Sequence, residues 1–407
     1  MSYESPTLTE RPPVQDWATD YDLFEDGFVR NPYDVWASLR GECPVMSSER
    51  FGGSHLVIGY DAVVQAAANT GHLTSTLGTA SAPTLEDFTD PNRPRSIINT
   101  DPPEHNAIRR MILPSLSPKL VVDYEPITRA LCESLIDKMG ERPHVDAAVD
   151  YAQQIPVRVI GRMLGVQEAL TDRFIGWVRD ILEHGAQNPA QRAVAFKDML
   201  EYFMGEVADR RRQPSEDLIS HLVHDTTDDG VAMSDRDVLG NLGLLLVAGI
   251  DTTWSAIGSS LWHLAQRPDQ VQQLHDDPEL WPTAVEELLR AYSPVTMGRI
   301  ATSDTEVAGC PVPHGRRVLL SFPSANRDAA VFERPDEVLL DRQQNRHLAF
   351  GSGVHRCAGS NLARMELRVA LQVWLERIPS FHLADPEAVT WAGGQVRGPR
   401  CVPVVRD

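Results

Sequence analysis

A single cysteine, delivered by a glycine-punctuated loop to the start of a helix, limits what this chain can be more than any other feature. The segment is Phe350-Gly351-Ser352-Gly353-Val354-His355-Arg356-Cys357-Ala358-Gly359. The run after it, 359–378, reads as a helix whose apolar face is Leu367, Ala370, Leu371, Trp374, Leu375 and Ile378. Glycines let backbone come close to a flat cofactor, and free amides at a helix N-terminus stabilise a thiolate. A lone cysteine is elsewhere most often a small buried apolar side chain, so the loop around it carries the reading. Zinc would need a CxxC or HxxxH partner pair, which the chain lacks. A dinucleotide-binding turn would need a third glycine where Arg356 stands, within a βαβ pattern that is not there.

Two further constellations lie upstream. Ser234 and Asp237 form a capping signature that opens a helix expected over 234–266, closed by Arg267-Pro268. At ~1.5 Å per residue such a helix extends about 48 Å. Its apolar stretch, 238–250, holds Asn241, stops at Asp251, and reads as a buried helix too short and polar to span a bilayer. In its middle stands Ala248-Gly249-Ile250-Asp251-Thr252-Thr253. A carboxylate there is costly without a partner or a task. Threonine can bond back to a carbonyl one turn earlier and Gly249 weakens the helix, so a kink with a buried acid is the plain alternative. Glu287-Leu288-Leu289-Arg290 places an acid and a guanidinium on one helical face, which alone describes many surface ion pairs of little energetic worth.

The 350–359 segment resembles the haem-binding loop of the cytochrome P450 family, matching FGxGxHxCxG at each fixed position. The 248–253 segment is similar to that family's AGxDT motif and 287–290 to its ExxR motif, and the resemblance runs from about Asn31 to Val405. It implies a mainly α cytochrome P450 fold, multi-helical with a long central helix and small β-sheets. A flexible N-terminal arm, 1–18, would precede a single domain, 19–407. It implies haem b with Cys357 as proximal thiolate, a ligation that favours O–O cleavage. Phe350 would pack near the sulfur, with Gly351, Gly359 and Ala248 against the cofactor. His105 and Arg109 of the DPPEHxxxR helix, Arg299 and His355 would hold the propionates. Asp251 and Thr252 would be an acid–alcohol pair passing protons to dioxygen. Glu287 and Arg290 would lock onto the chain before the cysteine loop, through the Arg327 or Arg342 region. The substrate pocket would draw on Leu244, Val247, Ala248, Val295, Thr296, Met297, Gln395 and Val396, mostly apolar and suited to a small hydrophobic or aromatic substrate. Hydroxylation or oxidative O-dealkylation is the implied reaction; a peroxide-driven peroxygenase and a non-catalytic haem-based ligand binder are the alternatives.

Charge narrows the partners. A formal net charge of −19 repels nucleic acid and anionic membrane surfaces. The polar start of the chain reads as neither signal peptide nor anchor, which implies a cytoplasmic protein. Cys43, Cys132, Cys310, Cys357 and Cys401 form no CxxC pair, so free thiols are expected. Between 342 and 368 five arginines face one glutamate, Glu366, and Arg110 and Lys119 extend that basic surface. It suits an acidic redox partner, a separate ferredoxin served by a ferredoxin reductase, acting on a monomer. Locally, strands at 44–47 and 55–58 flank a turn at Phe51-Gly52-Gly53. The stretch 75–100 is a candidate substrate lid, and Asp101 with Glu104 forms a capping box. Helix is expected over 127–203 with a break at Pro189, over 217–223 and over 282–292, and a strand over 317–322.

Overall fold

The apolar stretch that ends at Asp251 belongs to a helix of 30 residues, Asp235–Leu264, around which the rest of the chain is arranged. The computed structural model describes residues 12–40, 44–76, 94–186, 188–226 and 230–406. In chain order the helices that build the site are α1 (Glu104–Ile112), α2 (Pro118–Met139), α3 (Gln154–Met163), α4 (Thr171–Leu182), α5 (Pro189–Arg212), α6 (Asp235–Leu264), α7 (Trp281–Ala291) and α8 (Ser360–Arg377). α6 begins as expected: the Ser234 hydroxyl accepts from Asp237 N and donates to its carboxylate at 2.7 Å. Val238, Leu242, Leu246, Ile250, Trp254, Ile257 and Leu261 recur at helical spacing and are all at most 1% exposed.

The expectation that this stretch is too short for a bilayer rested on the wrong quantity. An 18-residue window of α6 has mean hydropathy 1.3, enough by length and composition to cross a membrane, but 67% of it is buried inside the protein. Burial against α3, α8 and the C-terminal strands makes it a core helix. Asn241, fully buried, is paired: it donates to Asp237 O at 2.7 Å and accepts from Ile97 N at 3.0 Å. Gly249 sits where α6 meets α3, and a Cβ there would come within 2.8 Å of Ile160 Cδ1. The residue read as a weak point in the helix therefore serves close packing.

The main sheet joins β1 (Val45–Ser48), β2 (Ser54–Val57), β3 (Leu73–Thr74), β4 (Thr296–Ala301) and β5 (Arg317–Ser321), in the order β1-β2-β5-β4-β3. β1 and β2 form the expected hairpin. β5 runs parallel to β2 and antiparallel to β4, tying the start of the chain to its last third. A further strand, β6 (Gly398–Cys401), lies along α6. The apolar face of α8 is buried as expected, with Trp374 and Leu371 at 0% exposure.

The break expected around Pro189 is present, between the end of α4 at Leu182 and the start of α5, which Pro189 opens because its missing N–H costs nothing there and Asn188 caps. Several local expectations change. A short strand, His144–Asp146, and a π-helical segment, Ala147–Ala152, interrupt the predicted helical region. Asp101 does not cap α1: the cap position is Pro103 and no capping box forms. Its carboxylate instead accepts from Ser75 N at 2.9 Å and from the hydroxyls of Thr74 and Thr76. Most of the candidate lid, 77–93, lies outside the described residues, as do 1–11 of the N-terminal arm. At the end of that arm, Trp17 stacks on Phe28 at 5.0 Å and the Ala18 carbonyl accepts from Ser47 N, so the packed chain starts before residue 19.

Candidate active site

The cysteine loop is held by its own backbone. Cys357 N donates to Phe350 O at 2.8 Å and Arg356 N to Gly353 O at 3.1 Å. Gly351 and Gly353 adopt positive φ of 70° and 71°, which L side chains rarely tolerate. Gly353 is also pressed onto neighbouring backbone, since a Cβ there would sit 2.9 Å from Ala67 O. The protein packed around Cys357 pushes its thiol pKa up, while Gly359 N–H, Arg109, Arg356 and Arg364 pull it down.

Next to the loop, α1 and β4 bring basic groups together. Arg109 donates to Arg356 O at 2.6 Å, and the His105 and His355 rings lie 4.4 Å apart. His355 Nε2 is 3.0 Å from Ser75 Oγ, and burial, then Arg299 and His105, hold its pKa down to about 3. Arg299 is 3% exposed, and among the described residues its side chain bonds its neighbour Gly298 O and meets no carboxylate within ion-pair distance. Burial lowers its pKa to about 10, so it stays a cation. His105 Nε2 is buried without a hydrogen-bond partner among the described residues. The expected set thus converges, with a buried cation and a buried ring nitrogen that the protein itself does not satisfy.

Glu287 and Arg290 have fully buried side chains joined by two bonds of 2.7 and 2.8 Å. Glu287 also accepts from Leu339 N at 2.8 Å, Arg342 at 2.9 Å and Asn345 at 3.1 Å. Arg290 donates onward to the carbonyls of Asn326, Pro335 and Glu337. Of the two anchors expected, Arg342 reaches the pair; Arg327 turns to Asp336 and Ala291 O. Sequence reading missed the neighbouring cluster. Glu286 grips Arg364 through two bonds of 2.6 and 2.8 Å and meets His347 at 3.1 Å. Arg364 lies 4.4 Å over the Phe350 ring. Only adjacency to the ExxR acid could have signalled it.

The five-arginine surface is not as basic as the sequence suggests. Arg342 turns inward to Glu287, and the half-buried Arg364 and Arg368 are paired with Glu286 and Glu125. What stays exposed near the loop is Arg346, Arg356, Arg110 and Lys119, with Val354 at 38% exposure among them.

In α6, Thr252 Oγ1 donates to Ala248 O at 2.8 Å, the back-bond anticipated from sequence. Asp251 is 0% exposed and bonds Arg400 of β6 at 2.7 Å through Oδ1, while Oδ2 has no partner among the described residues. Burial raises its pKa to about 6 against the pull of Arg400.

A cytochrome P450 family model matches residues 157–385. The chain is 41% identical over 317 residues to nocardicin C N-oxygenase of Nocardia uniformis subsp. tsuyamanensis, covering 76% of this chain and 79% of that one. The chain belongs to the cytochrome P450 family. Mycinamicin IV hydroxylase/epoxidase of Micromonospora griseorubida is 38% identical, with 76% and 79% covered. The structure of cytochrome P450 CYP109Q5 from Chondromyces apiculatus superposes with a TM-score of 0.86 at 30% identity, covering 96% of this chain and 99% of that one.

This P450 is therefore a monooxygenase of the bacterial type, and use of haem and dioxygen comes with the family. Its residues fit a haem. A Cβ on Gly359, two residues past Cys357, would meet no protein atom within 4 Å; Arg299, without a carboxylate partner, and His105 Nε2, without a hydrogen-bond partner among the described residues, suit anionic propionates. The residues expected to line a pocket are partly brought together. Leu244, Val247, Ala248 and Thr252 are half-buried on α6. Val295 bridges to Val396, and Thr296 N donates to Gln395 O at 2.9 Å, which sets the two expected pocket segments side by side.

Proposed function

We propose that this P450 binds haem b through the Cys357 thiolate and inserts one atom of dioxygen into a largely hydrophobic or aromatic small molecule. Electrons would come from NAD(P)H through a separate ferredoxin reductase and ferredoxin, in the cytoplasm. When bound, the haem supplies the centre at which dioxygen is reduced and split. His105, Arg109, Arg299 and His355 would hold its propionates, and Phe350, clamped by Arg364, would pack near the sulfur.

The observation that carries a dioxygen-dependent reaction is the Asp251–Thr252 pair. Thr252 spends its hydroxyl proton on Ala248 O, so its lone pairs are left to accept from the pocket side. Asp251 keeps Oδ2 free to hold and release a proton. Leu244, Val247, Val295, Met297 and Val396 give the pocket its apolar walls. Two relatives are named a nocardicin C N-oxygenase and a mycinamicin IV hydroxylase/epoxidase; both names support a specialised organic molecule as substrate.

Asp251→Asn is expected to lower oxygen-dependent turnover by about a hundredfold or more, since a carboxyl acting in proton transfer contributes roughly 10²–10⁴. Peroxide-supported turnover should fall far less. Full activity of the variant with oxygen and reductant would overturn the assignment, and turnover with peroxide alone in the wild type would favour a peroxygenase. A library screen for ligand-induced shifts of the ferric Soret band identifies the substrate class. For electron delivery, Arg110→Glu is expected to slow reduction by ferredoxin about tenfold at low salt, an effect that should fade as salt screens it. Peroxide-supported turnover serves as the control, and a salt-independent or unchanged rate would remove this face from the docking surface.

A further inference from the structure

The partners of Asp251 form a buried row of alternating charge. Arg400 donates through Nη2 to Asp251 Oδ1 at 2.7 Å, through Nη1 to Ser255 Oγ at 3.1 Å, and through Nε to Glu183 Oε1 at 2.5 Å. Its guanidinium carbon lies 4.3 Å over the Trp254 ring. Glu183, just past the end of α4, continues the row to Arg179 at 3.5 Å. Side-chain exposure rises outward, from 0% at Asp251 through 2% at Arg400 and 5% at Glu183 to 30% at Arg179. The charged groups acting most strongly on Asp251 are Arg400 from β6 and Glu183 and Arg179 from the α4 side.

An arginine facing one buried carboxylate would hold it ionised, because an opposite charge at contact distance favours the charged form. An acid locked that way cannot deliver a proton. Here the guanidinium is shared with a second buried acid, so its hold on Asp251 is diluted. Tethering also reaches only Oδ1, and Oδ2 stays without a partner among the described residues.

We propose that Arg400 and Glu183 are positioning residues for proton delivery by Asp251: Arg400 fixes one carboxylate oxygen, and Glu183 offsets the arginine's charge so that the other oxygen can be both protonated and bare. This rests on reading Asp251 as the proton-delivering acid. A donor works while protonated, so turnover falls as pH rises through its pKa. Removing Glu183 lowers that pKa, and removing Arg400 raises it.

The test is the pH profile of oxygen-dependent turnover, with product formed per reductant consumed, for Glu183→Gln, Arg400→Gln and Asp251→Asn. The reduced carbon monoxide spectrum reports folded holoprotein for each. Glu183→Gln is expected to move the alkaline half-point down by about one pH unit and Arg400→Gln to move it up. A merely structural role would lower activity without moving the half-point. If Arg400→Gln does not yield holoprotein, Glu183→Gln decides alone, because it replaces the acid by a side chain of like size. A Glu183→Gln profile that overlays the wild type, while Asp251→Asn is impaired, overturns the proposal. An unimpaired Asp251→Asn overturns the acid reading beneath it.

Discussion

Cys357→Ala is expected to abolish oxygen-dependent turnover and to remove the red-shifted carbon monoxide absorption that marks a thiolate-bound haem. The physical basis is that sulfur is the one soft anionic donor the loop offers; desolvation raises the Cys357 thiol pKa on balance, and neighbouring donors offset part of that rise. Gly359 N–H and the Arg109, Arg356 and Arg364 cations all favour the deprotonated form. Removing an outer partner of a metal ligand typically costs 10–100-fold, so losing the ligand should cost more than about a hundredfold. The loop should survive the change, because its hydrogen bonds run through backbone, Cys357 N to Phe350 O and Arg356 N to Gly353 O. An unaltered spectrum and haem content in the variant would remove the thiolate assignment.

Glu287→Ala should have the largest effect on the fold, a loss of about 3–5 kcal/mol, the usual result of leaving a buried charge without its partner. Arg290, at 0% exposure, and Arg342, at 7%, would be left with no acid between them. Two segments meet at this carboxylate: α7 itself and the stretch 339–345, through Leu339 N, Arg342 and Asn345. The variant should therefore unfold at lower denaturant and lose haem, and an unchanged denaturation midpoint would refute the assignment. A pH dependence follows. Burial alone would raise the pKa of Glu287, but bonds and charge from Arg290, with Leu339 N–H and Arg342, bring it below its ordinary value. For Glu286, Arg364 and His347 overcome burial and pull it down to about 2 from 4.5. Both acids bind protons less readily folded than unfolded. Their stabilisation is thus complete above the ordinary carboxylate range and is lost as pH falls toward about 2. Denaturation midpoints measured across that window should drop for the wild type and less steeply for Glu286→Gln.

Features written in a few consecutive residues were legible before any coordinates. Ser234 and Asp237 announce the start of α6, the 359–378 periodicity gives α8, and the glycines of the cysteine loop require the positive φ that Gly351 and Gly353 adopt. Asp101 shows the limit of such reading. Its spacing to Glu104 matches a capping box, yet hydroxyls and an amide from 74–76 compete for the carboxylate and take it. The basic surface is weaker than its sequence suggests for the same reason, since Arg364 and Arg368 look free in sequence until Glu286 and Glu125 are brought to them.

By itself, then, the sequence determined the family, the long central helix and the backbone shape of the cysteine loop. Caps, periodicity and glycine torsions act over a turn or two of chain, and the motif residues lie next to one another. Tertiary structure alone decided how the buried charges are balanced. Arg342 meets Glu287 across 55 positions and Arg400 meets Asp251 across 149. A charge withdrawn from water must find its counter-charge within contact distance in space. The order of residues along the chain does not specify which distant arginine that will be.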